Sequence, residues 1–364
     1  MKAAHHGNQF VAMTIGDING IGPEIVLKSL QHVVRQSAVV PLLVGPLSVF
    51  SHYARMLGLP LRFERVLLSD VLDWQRSHIS GDLRTIPVIE SSPGAPALRP
   101  GRVSRRAGKV ASQAIETAVT LVQMGAAGAM VTAPVSKRAM HKAGITFSGQ
   151  TELLQSLTRS PRAGMMMVSP TMRIGLVTIH VPLQDIVGTL SQRLLLERIR
   201  LFHHALITDW GIPHPRMAVL GLNPHAGEEG DLGTQEQRLI SPALHRLQED
   251  GFDIAGPFPA DGFFSRYQAG TYDAVIAMYH DQGLIPLKMT AHGRAVNVTA
   301  GLPVVRTSPA HGTAFDIAGK LTADPKSMIE SVRVALQIAA FRQGTGRAHA
   351  VRARRGKKVG RKRK

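Results

Sequence analysis

Cysteine is absent from all 364 residues. That excludes disulfides, thiolate metal sites and a cysteine nucleophile, and it fits a reducing cytoplasm, so the expected location is cytoplasmic. No stretch approaches the roughly 18 uninterrupted apolar residues that span a bilayer, so no membrane partner is expected. The polar start over residues 1–10 lacks the apolar core of a signal peptide. No Gly-x-Ser-x-Gly elbow is present, which weighs against a serine hydrolase. Acidic residues are scarce, 25 against 43 Lys and Arg, for a formal net charge of +18. Eleven of the Lys and Arg lie within 342–364, where no acid occurs, which leaves +7 for the rest. The run RARRGKKVGRKRK at 352–364 reads as a disordered basic tail. It could attract polyanions by counterion release. No aromatic residue interleaves its charges, so it is no stacking platform for single strands, and the charge distribution argues against nucleic acid as the main partner.

The remainder has globular composition, 44% hydrophobic and 19% charged, and a length that suits about two domains. Short apolar runs at 39–44 (VVPLLV), 129–132 (AMVT), 174–178 (IGLVT), 217–221 (MAVLG) and 274–278 (AVIAM) read as buried strands. Helical patterns occupy 23–34, 104–124, 194–210 and 235–250. This alternation predicts an α/β protein with a parallel sheet covered on both faces. The Pro/Gly-rich stretch 91–101 reads as a connection or arm.

Ligands of such sheets bind beyond the carboxyl ends of the strands. There Thr178 leads to His180, Gly221 to Asn223 and His225, and Met278 to His280. A neutral imidazole binds borderline divalent metals, and a catalytic metal needs about three protein ligands. Spacing alone leaves each histidine a structural or surface role as well. Lys288, Asn297 and Arg306 offer anion-binding groups, and the arginine is capable of a bidentate grip; three surface residues are the alternative. The segment AHGTAFDIAGK at 310–320 is rich in small residues, which lets a ligand approach the backbone or simply makes a tight turn. GDINGIGPE at 16–24 sets glycines before a helix, either as an anion-binding turn or as a structural one. It is neither a Gly-x-Gly-x-x-Gly fingerprint nor a Walker loop.

Several long stretches together resemble the 4-hydroxythreonine-4-phosphate dehydrogenase family of pyridoxal phosphate biosynthesis and its paralogues. They are GDINGIGPEI from Gly16, VTAPVSK from Val131, SGQTELL from Ser148, VTIHVPLQD from Val177, GLNPHAGEEGDLG from Gly221, GPFPADGFF from Gly256, YDAVIAMYHDQGLIPLK from Tyr272 and VNVTAGLPVVRTSPAHGTAFDIAGK from Val296. They run in order from about residue 11 to 340. The resemblance implies two α/β/α domains with an interdomain active-site cleft, like the isocitrate and isopropylmalate dehydrogenases. The first would be 1–140 plus 295–342, the second 141–294, and the basic tail 343–364. It also implies a homodimer.

In the family's pattern His180, His225 and His280 match the metal ligands, the third coming from the partner subunit. Gln150, Thr151, Lys288, Asn297 and Arg306 match the substrate-binding positions. His311, Gly312, Thr313 and Asp316 fall in a nicotinamide-dinucleotide loop. The implied cofactors are NAD or NADP and a divalent metal (Zn2+, Mg2+, Mn2+ or Co2+). The implied reaction is oxidation, with decarboxylation, of a small phosphorylated hydroxy acid: 4-hydroxythreonine-4-phosphate or an analogue such as 4-phosphoerythronate or 4-phosphothreonate. Candidates for the proton acceptor are Asp261, Asp281 and Lys137. Asp281 could instead orient His280, Asp261 could sit in a turn, and Lys137 could be a surface charge.

One departure stands out: Gln150 occupies the place of the family's histidine and cannot carry positive charge. A terephthalate-type dehydrogenase acting on a cis-dihydrodiol dicarboxylate is therefore an alternative. That branch tends to lose the arginine and the Ala-Pro-x-x-Lys pattern. Arg306 and Ala133-Pro134-Val135-Ser136-Lys137 are both kept here, which favours a phosphorylated substrate. Outside this chemistry stand a metal-dependent hydrolase or phosphate acetyltransferase on a similar sheet, and a non-catalytic anion- or nucleic-acid-binding protein that uses the tail.

Overall fold

The computed structural model describes residues 9–35, 39–78, 85–92, 94, 97–147 and 149–360. Residues 1–8 of the polar start, Ser148 and the last four residues of the basic run lie outside them. Among the described residues, one sheet is formed by β1 (Gln9–Thr14), β2 (Val39–Val44), β3 (Phe63–Val66), β4 (Ile86–Ile89), β5 (Ala129–Thr132), β6 (Gly164–Val168), β7 (Arg173–Leu176), β8 (Arg216–Leu220), β9 (Asp253–Phe258), β10 (Ala274–Ala277), β11 (Val296–Ala300) and β12 (Arg306–Pro309). Its order is β3-β4-β2-β1-β5-β12-β11-β6-β7-β10-β8-β9. The helices are α1 (Gly22–Arg35), α2 (Leu47–Met56), α3 (Val71–His78), α4 (Arg105–Gln123), α5 (Lys137–Lys142), α6 (Gln150–Leu157), α7 (Leu183–Thr189), α8 (Gln192–Trp210), α9 (Ser241–Glu249), α10 (Ala260–Ser265), α11 (His280–Ala291) and α12 (Lys326–Gly360).

Strands β4, β5, β6 and β10 are buried at every position. This is why their sequences are continuous apolar runs and not alternating ones. Helix α4 turns Ala107, Val110, Ala114, Ile115, Ala118 and Leu121 inward, a stripe at helical spacing, and packs on β1 and β5. Ser104, Ser136 and Ser191 cap α4, α5 and α8 by accepting the amides of Ala107, Ala139 and Leu194, each cap contributing about 1 kcal/mol. Inside α4, Gly108 lets α5 lie against it, because a Cβ there would collide with the Ala139 carbonyl.

Three differences from the sequence-based expectations have physical causes. The sheet is mostly parallel, but β6 pairs antiparallel with both β7 and β11, and β11 with β12. Only four residues join β6 to β7, closed by the Ser169 amide donating to the Met172 carbonyl, and so short a link can connect only antiparallel strands. The helix expected over 235–250 starts as a π-turn, Glu236–Ile240, before α9; Pro242 has no N–H to close the ordinary ladder there. The backbone of α12 runs helical to Gly360, where disorder was expected from residue 343. Ala, Arg and Lys are strong helix formers, and no proline interrupts the segment. The sheet is also continuous across the expected domain boundary, since β11, assigned by sequence to the first domain, pairs with β6 of the second.

Candidate active site

A cavity of about 340 Å³ opens where α5, α6 and α11 meet the middle of the sheet. Lys137 begins α5, Gln150, Thr151 and Glu152 form the first turn of α6, and Lys288 projects from α11; all five line it. Asn297 of β11, Arg306 of β12, His180, His280, His311 and Gly312 complete its polar wall, with Met165, Met167 and Leu284 as apolar floor.

Arg306 is the largest fully buried side chain, 2% exposed. Its Nε and Nη2 donate to Thr132 Oγ1 at 3.0 and 2.7 Å, its Nη1 to Thr299 Oγ1 at 2.9 Å, and its Nη2 to Gln150 Oε1 at 2.8 Å. Every partner is neutral. Burial draws its pKa down to about 9, with Glu152 opposing the shift at longer range, so the guanidinium stays charged at neutral pH. A buried cation without a bonded carboxylate is costly unless an anion is supplied, and the open side of Arg306 is the cavity. The bidentate grip expected from sequence is not available to it, because the supporting hydroxyls and Gln150 occupy most of its donors. Thr132 and Thr299, which hold it, went unpredicted; they lie inside the VTAPVSK and VNVTAG stretches, at the strand residues that flank the arginine. Asn297 presents a buried Oδ1 that has no protein partner.

The three candidate metal histidines follow β7, β8 and β10, which are neighbours in the order β7-β10-β8. His180 and His280 come together, with ring centroids 5.7 Å apart. Burial, then Lys137 and His280, lower the His180 pKa, which favours the neutral, metal-binding imidazole. His280 begins α11, and its Nδ1 donates to Asp281 Oδ1 at 2.6 Å, which leaves Nε2 for the cavity. His225 does not line this cavity. It opens a left-handed run in which His225, Ala226, Gly227, Glu228 and Glu229 all have positive φ. Such backbone costs roughly 1–2 kcal/mol per non-glycine residue. Glu236, almost fully buried, holds the loop by accepting the amides of Leu222 and Asn223 at 2.7 Å each. Among the described residues, no three His, Asp or Glu side chains converge on a metal position within this chain.

Of the proton-acceptor candidates, Lys137 lines the cavity and Asp261 and Asp281 do not. Of the loop residues, His311 and Gly312 line it, while Thr313 and Asp316 do not. Instead, the Thr313 carbonyl accepts the Ile21 amide at 3.0 Å. The 16–24 turn is thus a brace for the 311–320 loop and does not itself face the cleft. Lys28 extends this brace, donating to Glu24 Oε1 and to the carbonyls of Leu321 and Ala323 at 2.7–2.9 Å. Asn19 ties the 97–104 arm to the same turn, accepting the Arg99 amide and donating to the Arg102 carbonyl.

Asp17 in this turn is fully buried and has an unpartnered Oδ2. Burial raises its pKa from the ordinary 3.8 to about 6, against the backbone bonds from Asn19 and Ser136. The native state therefore holds a proton that the unfolded chain releases, so Asp17 costs stability as pH rises from about 4 to about 6, by up to about 3 kcal/mol. Asp17→Asn keeps an acceptor for the Asn19 amide but cannot ionise. Its stability relative to wild type should rise by about that amount between pH 4 and pH 8 in denaturant titrations; a difference independent of pH would mean that Asp17 is not desolvated.

Sheet, cleft and fixed cations, taken with the similarities that follow, define the chain as an α/β enzyme of the dehydrogenase class. It belongs to the family described as pyridoxal phosphate biosynthetic protein PdxA, whose model matches residues 37–335. It is 41% identical over 336 residues to a 4-hydroxythreonine-4-phosphate dehydrogenase of Erythrobacter litoralis, covering 91% of this chain and 97% of that protein. It is 40% identical over 334 residues to a D-threonate 4-phosphate dehydrogenase of Cupriavidus necator, covering 91% and 98%. The crystal structure of 4-hydroxythreonine-4-phosphate dehydrogenase from Klebsiella pneumoniae superposes with a TM-score of 0.79 at 38% identity, covering 91% of this chain and 99% of that one. No helix among the described residues is long and apolar enough to cross a membrane.

Proposed function

We propose that the protein is a metal-dependent NAD(P) dehydrogenase that oxidises, and decarboxylates, a small phosphorylated hydroxy acid: 4-hydroxythreonine-4-phosphate or an analogue such as 4-phosphothreonate or 4-phosphoerythronate. The observation that carries this is Arg306, a buried cation bonded only to neutral groups and open to the cavity. A dianionic phosphate is a fitting counter-charge, and Lys288 adds a second cation at the same wall. The similarity to a 4-hydroxythreonine-4-phosphate dehydrogenase and a D-threonate 4-phosphate dehydrogenase supports the first two acids; 4-phosphoerythronate is added as their close analogue.

His180 and His280 fit a divalent metal such as Zn2+: two imidazoles face one another, one kept neutral by its surroundings, the other oriented by Asp281. Two ligands are fewer than a catalytic site needs; because His180 and His280 already sit together in one chain, it is His225 of the partner subunit in a homodimer, in place of the His280 expected from the resemblance, that would supply the third. A bound metal lowers the pKa of a substrate hydroxyl and a nicotinamide takes up hydride. The chain's own part is to hold and shield. Arg306 and Lys288 fix the anionic end, Asn297 Oδ1 accepts a substrate N–H or O–H, and His311 and Gly312 place the dinucleotide loop at the rim. Lys137 is the one of the three proton-acceptor candidates that lines the cavity; it would accept the proton only as the neutral amine, since the ammonium is the form that lowers the His180 pKa.

The test is reduced-nicotinamide absorbance with purified protein, Zn2+, Mn2+ or Mg2+, NAD or NADP, the three phosphorylated acids and a cis-dihydrodiol dicarboxylate. Metal-dependent turnover of a phosphorylated acid, abolished by chelation, is expected. Turnover of the dihydrodiol alone would reassign the substrate, and no reduction with verified metal loading would overturn the assignment.

A further inference from the structure

Arginine has five N–H donors, and Arg306 spends four of them on Thr132, Thr299 and Gln150. Only one N–H, on Nη1, is left for a ligand. What the guanidinium does with its fourth bond is fix an amide. Gln150 Oε1 takes the charge-assisted bond from Arg306 Nη2 at 2.8 Å. Turning that amide over would set its NH2 against the guanidinium, donor facing donor, and would leave a buried N–H unpaired. The orientation is therefore set by chemistry. Nε2, which makes no hydrogen bond within the described residues, is the end that position 150 has free for the cavity it lines.

We infer that Gln150 is a specificity-determining residue that offers the cleft a locked pair of N–H donors, so that the substrate group facing it is an oxyanion oxygen, of phosphate or carboxylate, and not an ammonium. The inference rests on the proposed reaction only for its kinetic readout. A histidine at the same position would gain or lose a proton near neutrality. Glutamine instead donates at every pH, and its partner must accept.

Gln150→Glu is the sharpest test. Glutamate keeps the length and the oxygen that Arg306 holds, but it replaces the donor by a second, charged acceptor. Calorimetric titration with inorganic phosphate and with glycerate separates the two sources of the oxyanion. At least one of these affinities is expected to fall by about 30-fold or more, with kcat/KM on the substrate falling in parallel. Tm should hold or rise, because the bond to Arg306 becomes an ion pair. Loss confined to phosphate identifies the phosphate as the group at Gln150, and loss confined to glycerate identifies the carboxylate. Gln150→Met removes the donor without adding charge; it should weaken the same anion by about tenfold. Unchanged affinity for both anions overturns the inference. So does a fall in Tm of more than about 5 °C in the glutamate variant, which would make Gln150 a prop for Arg306. Anion titration needs no turnover, so a failed dehydrogenase assay leaves this result standing.

Discussion

Arg306→Met is expected to lower kcat/KM for the phosphorylated substrate by about 10³-fold while leaving a folded protein. The magnitude follows from the position of the charge. Truncating one partner of a buried, hydrogen-bonded charge pair costs 2 to 5 kcal/mol or more, and each 1.4 kcal/mol is about tenfold. Folding should suffer less, because two terms oppose. The variant leaves Thr132 Oγ1, Thr299 Oγ1 and Gln150 Oε1 without their donor, but it also removes a cation that folding must desolvate without a bonded acid. Methionine fills most of the space with a flexible apolar chain. Arg306→Lys keeps the charge, but an ammonium cannot reach Thr132, Thr299 and Gln150 together with the planar fork, so it should recover only part of the loss. Steady-state kinetics with a parallel melting curve checks both. If Arg306→Met keeps a tenth or more of wild-type kcat/KM at an unchanged melting temperature, the anion does not bind at Arg306.

The strand ends were legible in sequence, and the bonds that bury Arg306 were not, for a reason that lies in the period of the elements. Strands such as 39–44, 129–132 and 274–278 announce themselves because burial on both faces forces runs made mostly of Val, Ile, Leu, Met and Ala. The carboxyl ends of those strands can then be read off, and with them His180, His225 and His280. Strand β12 (RTSP) is buried throughout, yet it holds arginine, threonine, serine and proline. Its burial is made possible by side-chain bonds from residues more than a hundred positions away, such as Thr132, and no local pattern encodes them. The same holds for the 16–24 turn. Its glycines suggest an anion, but Gly20 is needed because a Cβ there would press on the Thr313 carbonyl at 2.9 Å. Contact between distant loops, and not a ligand, sets that residue. Which histidines share a site is likewise a matter of tertiary placement. His225 leaves its strand in a left-handed run that nothing in NPHAGEEG signals, since only Gly227 among its first residues past His225 favours positive φ.

The placement of His225 makes the second large prediction. If His180 and His280 of one subunit bind the metal with His225 of the partner subunit, replacing any of the three by alanine should lower turnover by more than about 100-fold. That is the upper end of what even an outer hydrogen-bonding partner costs, and Asp281→Asn, which loosens the orientation of His280, should fall within about 10- to 100-fold. The variants differ in what mixing does. A hybrid dimer of His225→Ala with His180→Ala has one site that carries both substitutions and one that carries neither. Random reassociation makes half the dimers hybrid, so the mixture should return to about a quarter of wild-type activity. A mixture of His180→Ala with His280→Ala cannot recover, because those two ligands come from the same chain and every site then lacks one. Metal content should follow the same contrast, read by atomic absorption after gel filtration. Equal recovery in the two mixtures, or none in either with hybrids verified by mass spectrometry, would rule out the shared site. His225 would then have to reach its own subunit's cleft by unwinding the run from His225 to Glu229. The amides of Leu222 and Asn223 on Glu236 resist that movement, and Glu236→Gln would be expected to ease it.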